Sequence, residues 1–262
     1  MGDLGTFAFG QPVLPVVQED RTPKQLFVLG VYSSAVHARW VGPDAKIRIQ
    51  ALAVASEPCV FWRGEGAEEV VARIDVPREL GRLEAAHARY NGPSGRALDA
   101  RYLRPLGLKR DDAWLCDLVP HSCKNPRQAA AVEQHYDCLI EKHGLSPVTM
   151  PSVPVTLAGG SRRAEILEEL RASRADVLML LGDQPIRWFL RHVAAGGQTL
   201  AAFGRDDAAY GRLHDVEVGG RPVRVLPLAH PRQAARLGTS STLWGQLHDA
   251  WVLHRAPGLL GG

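Results

Sequence analysis

Residues 92–123 read GPSGRALDARYLRPLGLKRDDAWLCDLVPHSC, and this stretch decides the fold. It divides into a turn, a helix with Leu98, Tyr102 and Leu103 on one face, a second turn over 107–112, and a short apolar strand over 113–118 that stops at Pro120. Asp117 falls in the last positions of that strand, where an open α/β sheet presents side chains to a ligand crevice. Three further apolar runs share this character: 25–30 (QLFVLG), 176–182 (DVLMLLG), and the second arm of a hairpin over 216–228 that turns at Gly219-Gly220 and runs into His230-Pro231. Helical segments over 77–90, 126–144, 161–175, 184–194 and 241–254 separate or follow them, with Pro126 and Pro185 near helix starts and Gly144 just past a helix end.

Strands alternating with helices predict a parallel sheet covered on both faces. The expected architecture is a three-layer α/β/α sandwich with a central, mostly parallel four-stranded sheet. The segment 31–40 reads as a loop leading into a helix. Residues 46–54 and 59–62, with a turn at 63–66, read as a small β-hairpin insertion. All 262 residues are assigned to one domain, with a linker-like break only around 146–154.

Composition narrows the classes of function. The chain is 45% hydrophobic with a net charge of +3, and arginine far outnumbers lysine. No apolar run reaches the ~18 residues of a membrane span, and the N-terminus lacks a basic head and a continuous apolar region. The expectation is therefore a cytoplasmic protein with no membrane partner and no obligatory protein partner. Cys59, Cys116, Cys123 and Cys138 form no CxxC pair and read as reduced thiols. Phosphate loops of the GxxxxGK[ST] and GxGxxG kinds, an HExxH zinc motif and a GxSxG nucleophile elbow are all absent from the sequence. His121, Cys123, His135 and Cys138 lack the paired short spacings of a zinc site, so no metal is expected.

Taken in order, QLFVLGVYSS (25–34), YNGPSGRALDARYLRPLGLKRDDAWLCDLVPHSCKNPRQ (90–128), DVLMLLGDQP (176–185) and VLPLAHPRQ (225–233) resemble the motifs of the uracil-DNA glycosylase superfamily, nearest to its iron-sulfur bacterial and archaeal branch. The resemblance implies a DNA partner and a mechanism in which the target base is flipped out of the helix and its N-glycosidic bond hydrolysed. It gives Tyr90 the role of the aromatic on which the flipped base stacks. His230 takes that of the histidine donating to O2 of the departing base. Pro231, Arg232 and Gln233 form the loop pressed against DNA. The region from Gly30 through Tyr32 to Ser34 and the 92–94 turn with Ser94 supply backbone groups for base carbonyls and phosphates.

Departures from the family pattern set the expected chemistry. At the base-reading position the uracil enzymes keep an asparagine, and here the residue is Asp117. A carboxylate accepts from an exocyclic amine, as acidic residues do from cytosine N4, but cannot donate to uracil O4 unless protonated. A modified or damaged cytosine-type base is thus the expected substrate, in repair or in defence against phage DNA. After the first strand the family places an acidic or amide residue to hold water, whereas this chain has Val31, Tyr32 and Ser33. Ser33, Ser34 and Glu57 from the inserted hairpin are the candidates for that role, with His37 and Asp44 behind Glu57, and His37 is also expected to meet the DNA. Of the branch's four cluster cysteines only Cys123 and Cys138 have counterparts, so no iron-sulfur cluster or other cofactor is expected. The alternative function is a weak or inactive relative that binds damaged or modified DNA without cleaving it.

Overall fold

The computed structural model describes residues 4–195, 199–236 and 242–261. Among these, eight strands appear: β1 (Leu26–Tyr32), β2 (Ala35–Val41), β3 (Ile47–Ser56), β4 (Arg82–Ala85), β5 (Ala113–Val119), β6 (Val177–Leu181), β7 (His214–Val218) and β8 (Arg221–Leu228). The chain folds as two compact units. The first takes the chain up to Val16, Tyr32–Gly95 and Pro120–Val155; the second takes Val17–Val31, Arg96–Val119 and the chain from Thr156 onward.

In the second unit, a mostly parallel five-stranded sheet has the order β5-β1-β6-β8-β7 and is flanked by helices. β1 and β6 run parallel with Leu29 opposite Leu180, and β6 and β8 run parallel with Leu181 opposite Leu228. The Gln25 N–H donates to Asp112 O at 2.9 Å, which sets the starts of β1 and β5 side by side. These neighbours therefore run the same way. Every residue of β5 and β6 is buried, as are the first five of β1. That is why these segments read as unbroken apolar runs instead of alternating ones. The sheet has five strands and not the expected four, because the first hairpin arm is itself a strand: β7 pairs antiparallel with β8 across the Gly219-Gly220 turn, at the sheet's edge. Its half-exposed alternation is the pattern of an edge strand.

The Gly160–Ser173 helix secures the free side of β5. Arg162 Nη2 donates to Asp117 O at 2.7 Å, and its Nε to Leu118 O at 3.2 Å. Gln18 Oε1 accepts from Leu115 N–H at 3.2 Å. An open strand edge is thereby closed with side chains.

The first unit holds a three-stranded antiparallel sheet, β3-β2-β4. Its core centres on Trp40, with Phe9 edge-on at 5.3 Å and Tyr136 close by; Trp40 Nε1 donates to Leu80 O at 2.8 Å. Three local expectations change here. The segment 31–40 is the end of β1 followed by β2, not a loop and helix start. The hairpin insertion is β2–β3, and Cys59–Trp62 forms a turn closed by Trp62 N–H on Cys59 O at 3.1 Å. The predicted 77–90 helix is instead one short 3-10 turn, Arg78–Leu80, and the strand β4. Gly81 explains the break. Its φ of +94° lies outside helical space, and a Cβ there would collide with the Val41 and Gly42 backbone.

The Pro126–His135 helix begins as predicted, with Asn125 Oδ1 capping Gln128 N–H at 3.0 Å, but it ends earlier than expected. Short helical turns, Asp137–Leu139 and Ile140–His143, carry the chain on to Gly144. The last helix is Thr242–His254; residue 241, assigned to it by sequence, lies outside the described residues. No helix among the described residues is long and apolar enough to cross a membrane.

Candidate functional site

The C-terminal ends of the parallel strands in the second unit bring several of the predicted residues to one edge. Gly30 is buried near the end of β1, Asp117 is buried at the fifth position of β5, and His230 follows β8 by two residues. Gly182 follows β6 directly and donates its N–H to Leu228 O at 2.7 Å. With φ at +90° and little space for a side chain, it lets the chain pass beside His230: a Cβ there would lie 3.0 Å from His230 Cβ.

His230 sits at the start of the short Pro231–Ala234 helix and caps it. Its Nδ1 accepts from Arg232 N–H at 3.2 Å, and its own N–H donates to Gln233 Oε1 at 3.0 Å. An Nδ1 that accepts must carry a lone pair, so the ring proton of the neutral imidazole is on Nε2. Burial, with the Arg232 charge nearby, pushes this histidine down to about 4. Near neutral pH the ring is therefore an uncharged donor of fixed tautomer. Of the three residues predicted to press on DNA, Arg232 is exposed, Pro231 is buried and Gln233 is engaged in the cap.

No protein-family model and no curated protein matches the chain.

The backbone under Asp117 is held by a residue that the motifs did not single out. Besides its bonds to Asp117 O and Leu118 O, Arg162 reaches Cys116 Sγ at 3.3 Å and ion-pairs with Glu165 at 2.9 Å and Glu169 at 3.4 Å. Glu169 also accepts from Trp114 Nε1 at 3.0 Å. Burial first, and Glu169 second, pushes the Cys116 thiol well above its ordinary range, so it is a protonated, structural cysteine.

The first unit holds the other predicted residues. Ser33 and Glu57 are buried, and Glu57 Oε1 accepts from Ser34 N–H at 3.1 Å. Ser122 Oγ donates to Ser34 O, so Ser34 is held through both of its backbone groups. Tyr32, the last residue of β1, is exposed. Tyr90 ends a turn after β4; the Arg89 guanidinium lies 4.7 Å from its ring centroid and donates to its Oη at 2.8 Å. Ser94 is half-buried in the Pro93–Leu98 helix.

His37 lies within β2 with its Nδ1 enclosed, and burial pushes it down to about 4. Asn91, which sequence reading passed over, makes the contacts that organise this corner. Its Oδ1 accepts from His37 N–H at 2.8 Å, and its Nδ2 donates to His37 O at 3.0 Å and to Ala86 O at 3.2 Å. A lone Asn after an aromatic gave no signal of that role.

Cys123 is buried and pushed up to about 11 by desolvation, and Cys138 is exposed. Among the described residues no group of three or more His, Cys, Asp or Glu side chains could hold a metal ion.

Proposed function

We propose that this chain is a DNA glycosylase of the uracil-DNA glycosylase kind, acting on a modified or damaged cytosine-type base. The observation that carries the reading is the neutral His230, a donor of fixed tautomer, on the same sheet edge as the buried carboxylate of Asp117. As the glycosidic bond breaks, negative charge grows on the base and reaches O2. A neutral Nε2–H aimed at that oxygen stabilises the charge by a few kcal/mol, on the order of 3 for one oriented donor. Being uncharged beforehand, the imidazole needs no proton transfer to do so.

Asp117 reads the other side of the base. Its carboxylate accepts from an N4 amine, which cytosine and its derivatives carry and uracil lacks. The stacking role of Tyr90 and the water-holding roles of Glu57 and Ser33 stay what the resemblance to the glycosylases implies. The order of the motifs along the chain supports the reading as well, as do the parallel strands β1 and β5, which carry Gly30 and Asp117 near their ends, and β6, which leads into Gly182.

The test is a panel of duplex and single-stranded oligonucleotides carrying uracil, cytosine, modified cytosines or hypoxanthine, scored for abasic product, with His230→Ala as the control. Release of an amino pyrimidine that His230→Ala abolishes is the expected result. Uracil cleaved faster than every amino pyrimidine removes the argument from Asp117. Tight binding to modified DNA with no abasic product favours the binding protein instead.

A further inference from the structure

We propose that Tyr102 and Tyr210 are positioning residues for His230: they clamp the Ala229 peptide from its two sides, and the buried His248 behind them fixes the direction of the protons in the clamp. The inference rests on the reading of His230 as the donor, and its test is built to fail separately.

Ala229 is the residue between the end of β8 and His230, and it is fully buried. Beyond the strand its N–H and C=O have left the sheet ladder, and buried backbone groups need partners. Two tyrosines distant in sequence supply them. Tyr102 Oη donates to Ala229 O at 2.7 Å, and Ala229 N–H donates to Tyr210 Oη at 2.8 Å.

The polarity of this arrangement follows from its far end. His248, with no exposed surface, has Nε2 3.0 Å from Arg101 O and Nδ1 2.9 Å from Tyr210 Oη. A carbonyl only accepts, so Nε2 carries the hydrogen and Nδ1 of the neutral ring carries a lone pair. Tyr210 must then donate to His248, which leaves its oxygen lone pairs free for the Ala229 N–H. Burial holds His248 neutral, at about 4. The ring itself is confined between Tyr102, 4.4 Å away centroid to centroid, and Trp251 at 5.2 Å.

Tyr102 belongs to a π-helical turn, Asp99–Leu103, a wide turn of the sort that re-aims side chains at functional sites. The imidazole of His230 is thus fixed from behind through the Ala229 peptide, and from in front through its cap on Arg232 N–H. Neither tyrosine touches a substrate in this scheme. Both act through the backbone that presents the ring.

The experiment compares Tyr102→Phe and Tyr210→Phe with Tyr136→Phe in the full chain. Tyr136 is a buried tyrosine that also makes two hydrogen bonds, to Phe9 N–H and Ser146 O, at a place remote in sequence from His230. Nitrogen-15 spectra of the His230 ring report its tautomer, and single-turnover base release is measured beside the Kd for the modified duplex. Wild type and Tyr136→Phe are expected to keep one Nε2–H tautomer. The two clamp variants are expected to show mixed or shifted ring signals and to lose about tenfold or more in release rate with little change in Kd, as small misplacements of a catalytic group do.

Unchanged His230 signals in both clamp variants, or a rate loss that Tyr136→Phe shares, would overturn the clamp. If wild type releases no base from any oligonucleotide, the glycosylase reading fails, and the ring spectra still decide the clamp. Should Tyr210→Phe not fold, Tyr102→Phe decides alone, because it leaves His248 its tyrosine partner.

Discussion

Asp117 on β5 and His230 just beyond β8 stand on the same edge of one sheet, with β1 and β6 between them. Three strand spacings of about 4.8 Å put the two strands roughly 14 Å apart across the sheet. Asp117→Asn replaces an acceptor-only group with an amide that both accepts and donates, the pattern that uracil O4 and N3–H require. The ratio of uracil to amino-pyrimidine cleavage is expected to rise by roughly tenfold or more, since a site built around one hydrogen-bond pattern discriminates strongly against another. Competition between two labelled oligonucleotides measures the ratio directly, and an unchanged ratio would detach Asp117 from base reading.

Gly182→Ala places a methyl group against His230 Cβ at a φ that side chains rarely adopt. The backbone conformation alone, with ψ at −171° in a region essentially confined to glycine, is expected to cost about 1–3 kcal/mol. The contact adds displacement of the imidazole. Urea unfolding should show the loss of stability, and base release should fall by more than the fraction of protein unfolded. Full activity in the folded variant would mean that the ring tolerates movement.

Acid should destabilise the fold well above the range where carboxylates titrate. His37, His230 and His248 are each held at about 4 in the folded chain, chiefly by burial, against an ordinary 6.5. Between those two values the unfolded chain binds protons that the folded chain refuses, so stability rises with pH across this window and falls as pH drops through it. Each group contributes at most roughly 3 kcal/mol to the loss. Unfolding midpoints at pH 7, 5.5 and 4.5 test this, and a flat profile contradicts it.

Asn91→Ala removes a buried amide that pairs with the β2 backbone and with Ala86 O. His37 N–H and two carbonyls are then left without these partners, which is expected to lower stability by about 2–4 kcal/mol. Thermal unfolding checks the figure. Asn91→Asp keeps the acceptor but sets a buried carboxylate oxygen against the His37 and Ala86 carbonyls, and is expected to be no more stable than Ala.

Residues 92–123 foretold a turn, a helix and the strand that ends around Asp117, and the apolar run 177–181 was legible as a buried strand because both of its faces are covered. The 77–90 helix was not, because leucine spacing there mimicked a helical face while pairing with β2 claimed Arg82–Ala85 as a strand. β2 itself was hidden because pairing, and not its local pattern, defines it. Its alternation is partial, and it becomes a strand only by lying between β3 and β4.

By itself, the sequence determined the buried parallel strands, the Gly219-Gly220 hairpin and the placing of Asp117 and His230 near strand ends, since these follow from local apolar runs and turn residues. Only the tertiary structure decided that Arg162 holds the Asp117 backbone, that Asn91 pairs with β2, and that Tyr102, Tyr210 and His248 enclose Ala229. Those are side-chain hydrogen bonds between residues up to 127 positions apart. Such bonds leave no periodic trace in the chain, because their partners meet only once the core has closed around them.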